Sequence, residues 1–130
     1  AMTNSYATYD DDNIFARILR GEIPSDTVRE TEHSLAFRDI APQAPLHLLV
    51  IPKGAYVTFD DFAARAPVEE VMDFMRLVGD LSKEFGLSPV TGGHGFRAIT
   101  NAGPHGLQEV PHFHLHLLAG RHLGRLVEPG

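Results

Sequence analysis

The longest regular spacing of apolar residues in this chain predicts an amphipathic helix over residues 67–85. Its apolar side chains recur at intervals of three and four residues, at Val68, Val71, Met72, Met75, Val78, Leu81 and Phe85. Charged residues fill most of the other positions, as they do on a half-buried helix. Pro67 suits the first helical position and Gly86 suits the end. We therefore expect this helix to bury its apolar side, including both methionines, in the core.

Shorter patterns predict the remaining elements. An apolar face predicts a first helix that follows the acidic run at 10–12 and ends at Gly21. Apolar runs and alternation predict strands at 27–32, 34–39, 47–51 and 96–100 and in the segment after Pro111. The first two form a hairpin, and the third is so apolar that both of its faces must be covered. The sum is an α+β domain whose two main helices pack mainly against one face of an antiparallel sheet of about five strands.

Length and composition limit the functions to be considered. The chain has 130 residues, enough for one domain with a real core. Its 11 basic and 17 acidic residues give a net charge of −6 without a basic cluster, which argues against polymeric nucleic acid as a partner. It contains no cysteine and no apolar run of membrane-spanning length, which argues against disulfides, thiolate metal sites and a membrane location.

The amino terminus is polar, and we expect it to be a flexible tail. It lacks the charged and then apolar order of a signal peptide, so we expect a cytoplasmic protein. Ala1 precedes Met2 and is interpreted as a residue left by an expression tag. We therefore divide the chain into a tail at residues 1–11 and a single folded domain at residues 12–130.

Three histidines, which we call the histidine row, stand at every second position near the carboxyl terminus: His112, His114 and His116. Side chains alternate between the faces of a strand, so the three rings would project to one side and Phe113 and Leu115 into a core. An imidazole can serve as a nucleophile, an acid, a base or a metal ligand. The row is therefore a catalytic face, a metal site or a structural ladder.

Strand geometry favours the first of these. The Cα atoms of the outer two histidines would lie roughly 13 Å apart at about 3.3 Å per residue. A metal lies only roughly 6 Å from the Cα of a histidine ligand, so a zinc site would use two members of the row and a ligand from elsewhere, such as His47. A phosphoryl group is larger and suits all three rings. We expect catalysis with anion binding, and neither a metal nor a cofactor.

Three more segments accompany the histidine row in order. They are Asp-Asn-Ile-Phe at 12–15, Ala-Phe-Arg-Asp-Ile-Ala-Pro-Gln-Ala-Pro at 36–45 and His-Leu-Leu-Val-Ile-Pro-Lys at 47–53. Together with the His-φ-His-φ-His-φ-φ motif at 112–118, they resemble the histidine triad (HIT) family, and within it the Hint branch of nucleotide-binding phosphoramidate hydrolases. The resemblance covers residues 12–124. It implies a single HIT domain with a HIT-like fold, paired as a homodimer.

The resemblance also implies an activity. A nucleoside 5′-phosphoramidate, adenosine rather than guanosine, would be cleaved through a covalent nucleotidyl group on His114, and water would then release the purine nucleoside monophosphate. His116 would contact the leaving group and the phosphate, His112 would position the site, and His47 would complete the imidazole network. Alternatives are a nucleotide-binding or scaffold protein with incidental turnover, a dinucleoside polyphosphate hydrolase, and a zinc protein.

The nucleotide pocket is implied in the same way. Asp39 would accept hydrogen bonds from the ribose hydroxyls. An apolar slot for the base would be formed by Ile14, Phe15, Ile18, Phe37 and Ile40. The phosphate region would be contacted by the loop residues Leu107 and Gln108 and by the backbone amides of Glu109 and Val110, and Asn101 would hydrogen-bond the phosphate or the ribose side. Glu109 stands where well-known members often carry a small hydroxyl residue, so a negative charge lies near the expected phosphate. Leu107 replaces a common glycine, and the tryptophan of some members is missing from the C-terminal stretch.

Overall fold

The computed structural model describes residues 4–130, so the assignment of Ala1 to a tag lies outside the described residues. Within that range the α-helices are α1 (Ile14–Leu19), α2 (Phe59–Arg65) and α3 (Val68–Glu84). The strands are β1 (Thr27–Glu30), β2 (Ser34–Arg38), β3 (Leu46–Pro52), β4 (Arg97–Ile99) and β5 (Leu115–Ala119), and a short 3-10 helix spans Pro89–Thr91. None of the helices formed by residues 4–130 is both long enough and apolar enough to cross a membrane.

The strands form one antiparallel sheet in the order β1-β2-β3-β5-β4. This confirms the predicted α+β class, the five strands and the β1–β2 hairpin. The central strand is β3, which pairs with β2 on one side and β5 on the other. The sheet therefore brings the two sequence segments that carry histidines, β3 and β5, side by side.

The two faces of β3 lie in two different cores. Leu48 and Val50 belong to a main core that also holds Phe62 of α2 and Phe74 of α3. Leu49 and Ile51 belong, with Phe15, Leu35 and Phe37, to a second core on the opposite face. The four central residues of β3 are at most 5% exposed, which confirms that both faces of this strand are covered. The longer helices thus lie on one face, and α1 closes the other.

The first helix begins at a well-made cap. The Asn13 side-chain oxygen accepts hydrogen bonds from the backbone N–H groups of Phe15 and Ala16, at 3.0 and 2.9 Å. Asn13 is only 6% exposed, so these bonds satisfy amides that water cannot reach. The same side chain donates to the carbonyl of Asp10 at 2.7 Å. The cap therefore fixes the chain before α1 as well as the helix itself.

The orientation of α3 differs from the predicted one. Its buried residues are Phe74, Leu77, Leu81 and Ser82. Met72 and Met75 are 45% and 60% exposed, so the prediction that they lie in the core is wrong. The apolar residues of α3 extend beyond one side of the helix, and the two large side chains at 74 and 77 decide which side faces the sheet. Pro67 precedes the helix in an extended conformation instead of occupying its first turn.

The second helix, α2, was not predicted. It is capped by Thr58, whose hydroxyl accepts from the Asp61 N–H at 3.3 Å, and Arg65 lies in its last turn. These are ordinary helix signals, but only one apolar side chain of its seven residues, Phe62, is buried. So short an apolar pattern does not distinguish a helix from a loop.

Candidate active site

Strand register assembles the first part of the site. His47 in β3 lies opposite Leu118, and Leu49 lies opposite His116, so His47 and His116 are diagonal neighbours on the face that carries the second core. The backbone N–H of Asp39 donates to the carbonyl of His47 at 3.0 Å, which extends the same row to the end of β2. Three polar side chains that are distant in the sequence thus meet at one edge of the second core.

The histidine row is only partly in a strand. β5 begins at Leu115, so the prediction of a regular strand through His112 and His114 is wrong. The backbone amides there bond elsewhere: the N–H of His112 donates to the carbonyl of Val110, and that of Phe113 to the carbonyl of Tyr56, both at 2.8 Å. The alternation of faces nevertheless holds at Phe113, which is 1% exposed in the main core.

The Phe15 ring shows where the histidine rings lie. On the opposite side of the sheet from the main core, its centroid lies 5.0 Å from that of His114. The ring centroids of His114 and His116 are also 5.0 Å apart, in an edge-on arrangement. The rings of Phe15, His114 and His116 therefore form one continuous aromatic cluster. The two histidine rings thus project away from the main core, as the sequence pattern predicted.

One hydrogen bond fixes the tautomer of His114. Its Nδ1 lies 2.8 Å from the backbone carbonyl oxygen of His112. A carbonyl can only accept, so Nδ1 must carry the proton. In the neutral ring this leaves Nε2 with a lone pair. His114 is 6% exposed, so the ring is held in a well-shielded position.

A second chain of bonds fixes His47 and His116. The backbone N–H of Gln43 donates to His47 Nδ1 at 3.1 Å, so the proton of the neutral His47 ring is on Nε2. That nitrogen lies 2.9 Å from His116 Nδ1 and donates to it. His116 therefore carries its own proton on Nε2 and is a hydrogen-bond donor there. The carboxylate of Asp39 lies 3.4 Å from His47 Nε2 and also accepts from the Ala41 N–H at 2.8 Å.

The third member of the row, His112, is completely buried. Its Nε2 lies 2.8 Å from the carbonyl oxygen of Pro52 and must donate to it. Its Nδ1 lies 2.6 Å from the hydroxyl of Tyr9 and accepts from it. Both ring nitrogens are therefore occupied, and His112 has none left for a substrate.

All four rings are kept neutral by burial. Desolvation lowers the pKa of His112 to about 4. It also lowers the pKa of His116 to about 4, with a further reduction from His114 and His47 and an opposing effect of Asp39. Burial lowers the pKa of His114 and of His47 as well, partly opposed in both cases by the charge of Asp39. At neutral pH the site therefore offers an uncharged nitrogen nucleophile and an uncharged N–H donor.

Two members of the row open onto a cavity of about 440 Å³, which we call the histidine cavity. It is lined by Asp39, Ala41, Gln43, Asn101, Gly106, Leu107, Glu109, His114 and His116. Its volume falls in the range of small-molecule sites. The structure thus brings together six of the residues that the sequence indicated, with Ala41, Gln43 and Gly106 as additions.

Other predicted residues lie behind this cavity. His47 is 3% exposed and lies behind three residues of the cavity lining that it contacts, Asp39, Gln43 and His116. The Gln108 amide donates to the carbonyls of Val57 and Val110, at 2.7 and 3.0 Å, and its oxygen accepts from the Gly103 N–H at 2.9 Å. These bonds make Gln108 a brace for the glycine-rich loop.

The predicted apolar slot is partly core and partly surface. Phe15 and Phe37 are buried edge-to-face against each other in the second core, with ring centroids 5.6 Å apart. Ile18 packs against that core, whereas Ile14 is 42% and Ile40 is 93% exposed. The exposed isoleucines are the members of this set that are available to a planar base.

Two contacts of the site were missed from the sequence. Tyr9 was placed in a flexible tail, yet its hydroxyl bonds to His112. Gln43 sets the tautomer of His47 through its backbone, which no side-chain pattern reveals. The signal available for Gln43 was its place between two prolines, which fix the loop before β3.

A cation could be held at one place among the described residues. Ligand atoms of Asp39, His47 and His116 all lie within 4.8 Å of one another. Carboxylate and imidazole together suit a zinc-like ion. Binding it would require the hydrogen bond between the two histidines to break. The expectation that no metal is needed stays a prediction.

Comparisons with known proteins agree with this geometry. A family model described as the HIT domain matches residues 20–123. An uncharacterised 13.2 kDa HIT-like protein of Azospirillum brasilense is 54% identical over 123 residues, which cover 95% of this chain and 98% of that protein. The purine nucleoside phosphoramidase of Escherichia coli K12 is 41% identical over 118 residues, which cover 90% of this chain and 94% of that protein.

The fold is also shared with solved structures. A histidine triad protein from Clostridium difficile superposes with a TM-score of 0.75 at 38% identity, covering 97% of this chain and 100% of the other. The family model spans well over half of the chain, and both curated relatives match along almost their whole length. The chain belongs to the HIT family.

Proposed function

We propose that this protein hydrolyses nucleoside 5′-phosphoramidates, preferring adenosine as the nucleoside, through a covalent intermediate on His114. The observation that carries the proposal is the bond from His114 Nδ1–H to the His112 carbonyl, because it leaves the Nε2 lone pair free in a ring that lines the histidine cavity. Burial lowers the pKa of His114 and so keeps that lone pair available at neutral pH. The similarity to the E. coli purine nucleoside phosphoramidase supports the same reaction class.

The reaction has two balanced steps. His114 Nε2 attacks phosphorus, the P–N bond breaks, and the amine leaves with one proton from solvent. Water then attacks phosphorus, the bond to Nε2 breaks, and the nucleoside monophosphate and one proton are released. His116 Nε2–H is placed to donate a hydrogen bond to the phosphoryl oxygens or the leaving nitrogen, and His47 holds it in that tautomer.

The charge of the cavity supports a substrate with a low negative charge. The described residues that line it include Asp39 and Glu109 and no lysine or arginine. A nucleoside 5′-phosphoramidate is a monoester and carries one negative charge, whereas the monophosphate product carries close to two. Repulsion from the two carboxylates therefore disfavours the product more than the substrate, which assists product release.

The test is turnover of adenosine 5′-phosphoramidate by metal-stripped protein. We expect the wild type to release AMP and the His114→Ala variant to lose activity by about a thousandfold or more. His105→Ala is the matched control, because His105 is an exposed histidine of the neighbouring loop outside the lining of the cavity. Circular dichroism spectra of all three proteins should coincide.

Each other outcome identifies a different function. Full activity in folded His114→Ala would refute the nucleophile. An inert wild type that binds AMP would favour the binding or scaffold protein. Cleavage of a dinucleoside polyphosphate at a higher kcat/KM than the phosphoramidate would favour the related polyphosphate hydrolase. Activity that returns only when zinc is added would favour a metal at Asp39, His47 and His116.

We also propose that a second copy of this chain covers one face of the domain. Val68, Met72 and Met75 form an exposed apolar stripe on α3, being 75%, 45% and 60% exposed. β4 pairs with β5 and lies at the edge of the sheet, where an identical strand can add in antiparallel register. A stripe and an open edge of this kind are typical of a twofold interface.

Sedimentation velocity tests the dimer. We expect the wild type to sediment as a dimer and the Met72→Glu/Met75→Glu double variant as a folded monomer. Glu69→Ala, an exposed change on another side of the same helix, should leave the dimer intact. A wild type that is monomeric at high micromolar concentration would contradict the proposal.

A further inference from the structure

The Tyr9 hydroxyl contacts the histidine row from the segment before α1. Its oxygen lies 2.6 Å from His112 Nδ1, and the two rings meet edge-on with centroids 5.6 Å apart. Burial raises the pKa of Tyr9, so the phenol retains its proton at neutral pH. Since His112 Nε2–H donates to the Pro52 carbonyl, the only role left for the hydroxyl is to donate to Nδ1.

The segment that carries Tyr9 is tied to α1. The Asp10 carbonyl accepts from the backbone N–H of Asn13 at 3.2 Å and from its side chain at 2.7 Å. The Asp11 carbonyl accepts from the Arg20 guanidinium at 2.8 Å. Tyr9 therefore directly precedes a turn that the helix cap holds in place. The backbone next to Tyr9 is therefore fixed where its side chain contacts His112.

His112 links Tyr9 to His114 through a series of hydrogen bonds. The ring of His112 is held between Tyr9 and Pro52, and the backbone carbonyl of the same residue accepts the Nδ1–H of His114. Whatever fixes the position of His112 therefore fixes the acceptor that selects the tautomer of His114. The Phe15 ring packs edge-on against both histidines, with centroids 6.2 and 5.0 Å away, and leaves little room for either ring to turn.

We propose that Tyr9 is a positioning residue of the active site: its hydroxyl locks the ring of His112, and the His112 carbonyl in turn holds His114 in the tautomer that exposes Nε2. This inference rests on the proposed role of His114. It makes residues before α1 part of the functional site and assigns to them a role in catalysis at a distance from the substrate.

Removing the hydroxyl leaves the buried Nδ1 of His112 without a donor. The ring can then be protonated at that nitrogen or exchange its tautomer, and either change shifts the backbone at His112. Because Tyr9 does not line the histidine cavity, substrate binding should change little. We expect kcat of Tyr9→Phe to fall by about 10- to 100-fold, with KM within about threefold of the wild type.

The matched control is Tyr6→Phe. Tyr6 lies on the same segment as Tyr9, and both side chains line a cavity of about 660 Å³ that is separate from the histidine cavity. Unlike that of Tyr9, the Tyr6 hydroxyl makes no hydrogen bond within residues 4–130. Steady-state kinetics with adenosine 5′-phosphoramidate give kcat and KM. Imidazole ¹⁵N chemical shifts, which distinguish a protonated from an unprotonated ring nitrogen, report the tautomers of His112 and His114 in the free protein.

We expect Tyr9→Phe to show a lowered kcat and to lose the ¹⁵N shifts of a single His112 tautomer. Tyr6→Phe should match the wild type in kcat and in the ¹⁵N shifts. A kcat within twofold of the wild type, or a lowered kcat with unchanged ¹⁵N shifts, would overturn the positioning role. If no protein turns over, the proposed function fails, and the ¹⁵N spectra still decide the inference: unchanged tautomers in Tyr9→Phe overturn it.

Discussion

Acidification below about pH 6.5 should destabilise this protein, and the completely buried ring of His112 should account for a measurable part of the loss. The ring is completely buried, and desolvation lowers its pKa to about 4. In the unfolded chain the pKa of histidine is about 6.5. Between these two values the unfolded state binds more protons than the folded state, so the free energy of unfolding falls as the pH falls. Above this window His112 is neutral in both states and contributes no pH dependence.

The magnitude follows from the two pKa values. A reduction from about 6.5 to about 4 corresponds in full to about 3 kcal/mol, of which about 2 kcal/mol is reached between pH 7 and pH 5. We would measure urea unfolding of the wild type and of His112→Gln at both pH values. The difference between the two proteins cancels the titration of every other group and should shrink by about 2 kcal/mol. A difference that is independent of pH would refute the buried, neutral state of His112.

Three further changes test other parts of the structure. Asn13→Ala removes the acceptor of two buried amides and should cost about 1–2 kcal/mol in urea unfolding, whereas Asn13→Ser keeps an uncharged acceptor and should cost less; equal losses would contradict the capping role. Leu48→Ala should cost about 2–5 kcal/mol because this side chain is fully buried in the main core, and Val90→Ala, at a side chain that is 92% exposed, should cost less than about 0.5 kcal/mol. Glu109→Gln removes a carboxylate from the histidine cavity, so calorimetry should show AMP binding tightened by about two- to fivefold at low salt. Unchanged or weaker binding would show that Glu109 does not repel the phosphate.

Most of the fold could be predicted because its patterns are local. Residues 48–51 of β3 form an uninterrupted apolar run, and the burial of the strand on both faces follows from that run. The buried side of α3 could not be predicted as easily, since its apolar residues extend around more than half of the circumference of the helix. Only the large side chains Phe74 and Leu77 show which part meets the sheet. α2 is too short for its periodicity to be recognised.

For the candidate site, too, local features could be predicted from the sequence and long-range contacts could not. The histidine row could be found because its members lie within five residues of one another. Its tautomers could not, because the groups that fix them, Gln43, Pro52 and Tyr9, are brought there by strand register and by the path of the chain before α1. The irregular backbone at His112 also escaped prediction, since it depends on a hydrogen bond from the Phe113 N–H to the carbonyl of the distant Tyr56.

The central claim is that His114 Nε2 is the nucleophile, and the most direct measurement is the mass of the protein quenched during turnover of adenosine 5′-phosphoramidate. The account predicts a transient gain of one adenylyl group that fragmentation places on His114, that decays as AMP is released, and that is absent from His114→Ala. An adduct on His116 or on another residue would contradict it. So would AMP release in a single turnover, at rates that rapid quenching can resolve, without any protein-bound nucleotide.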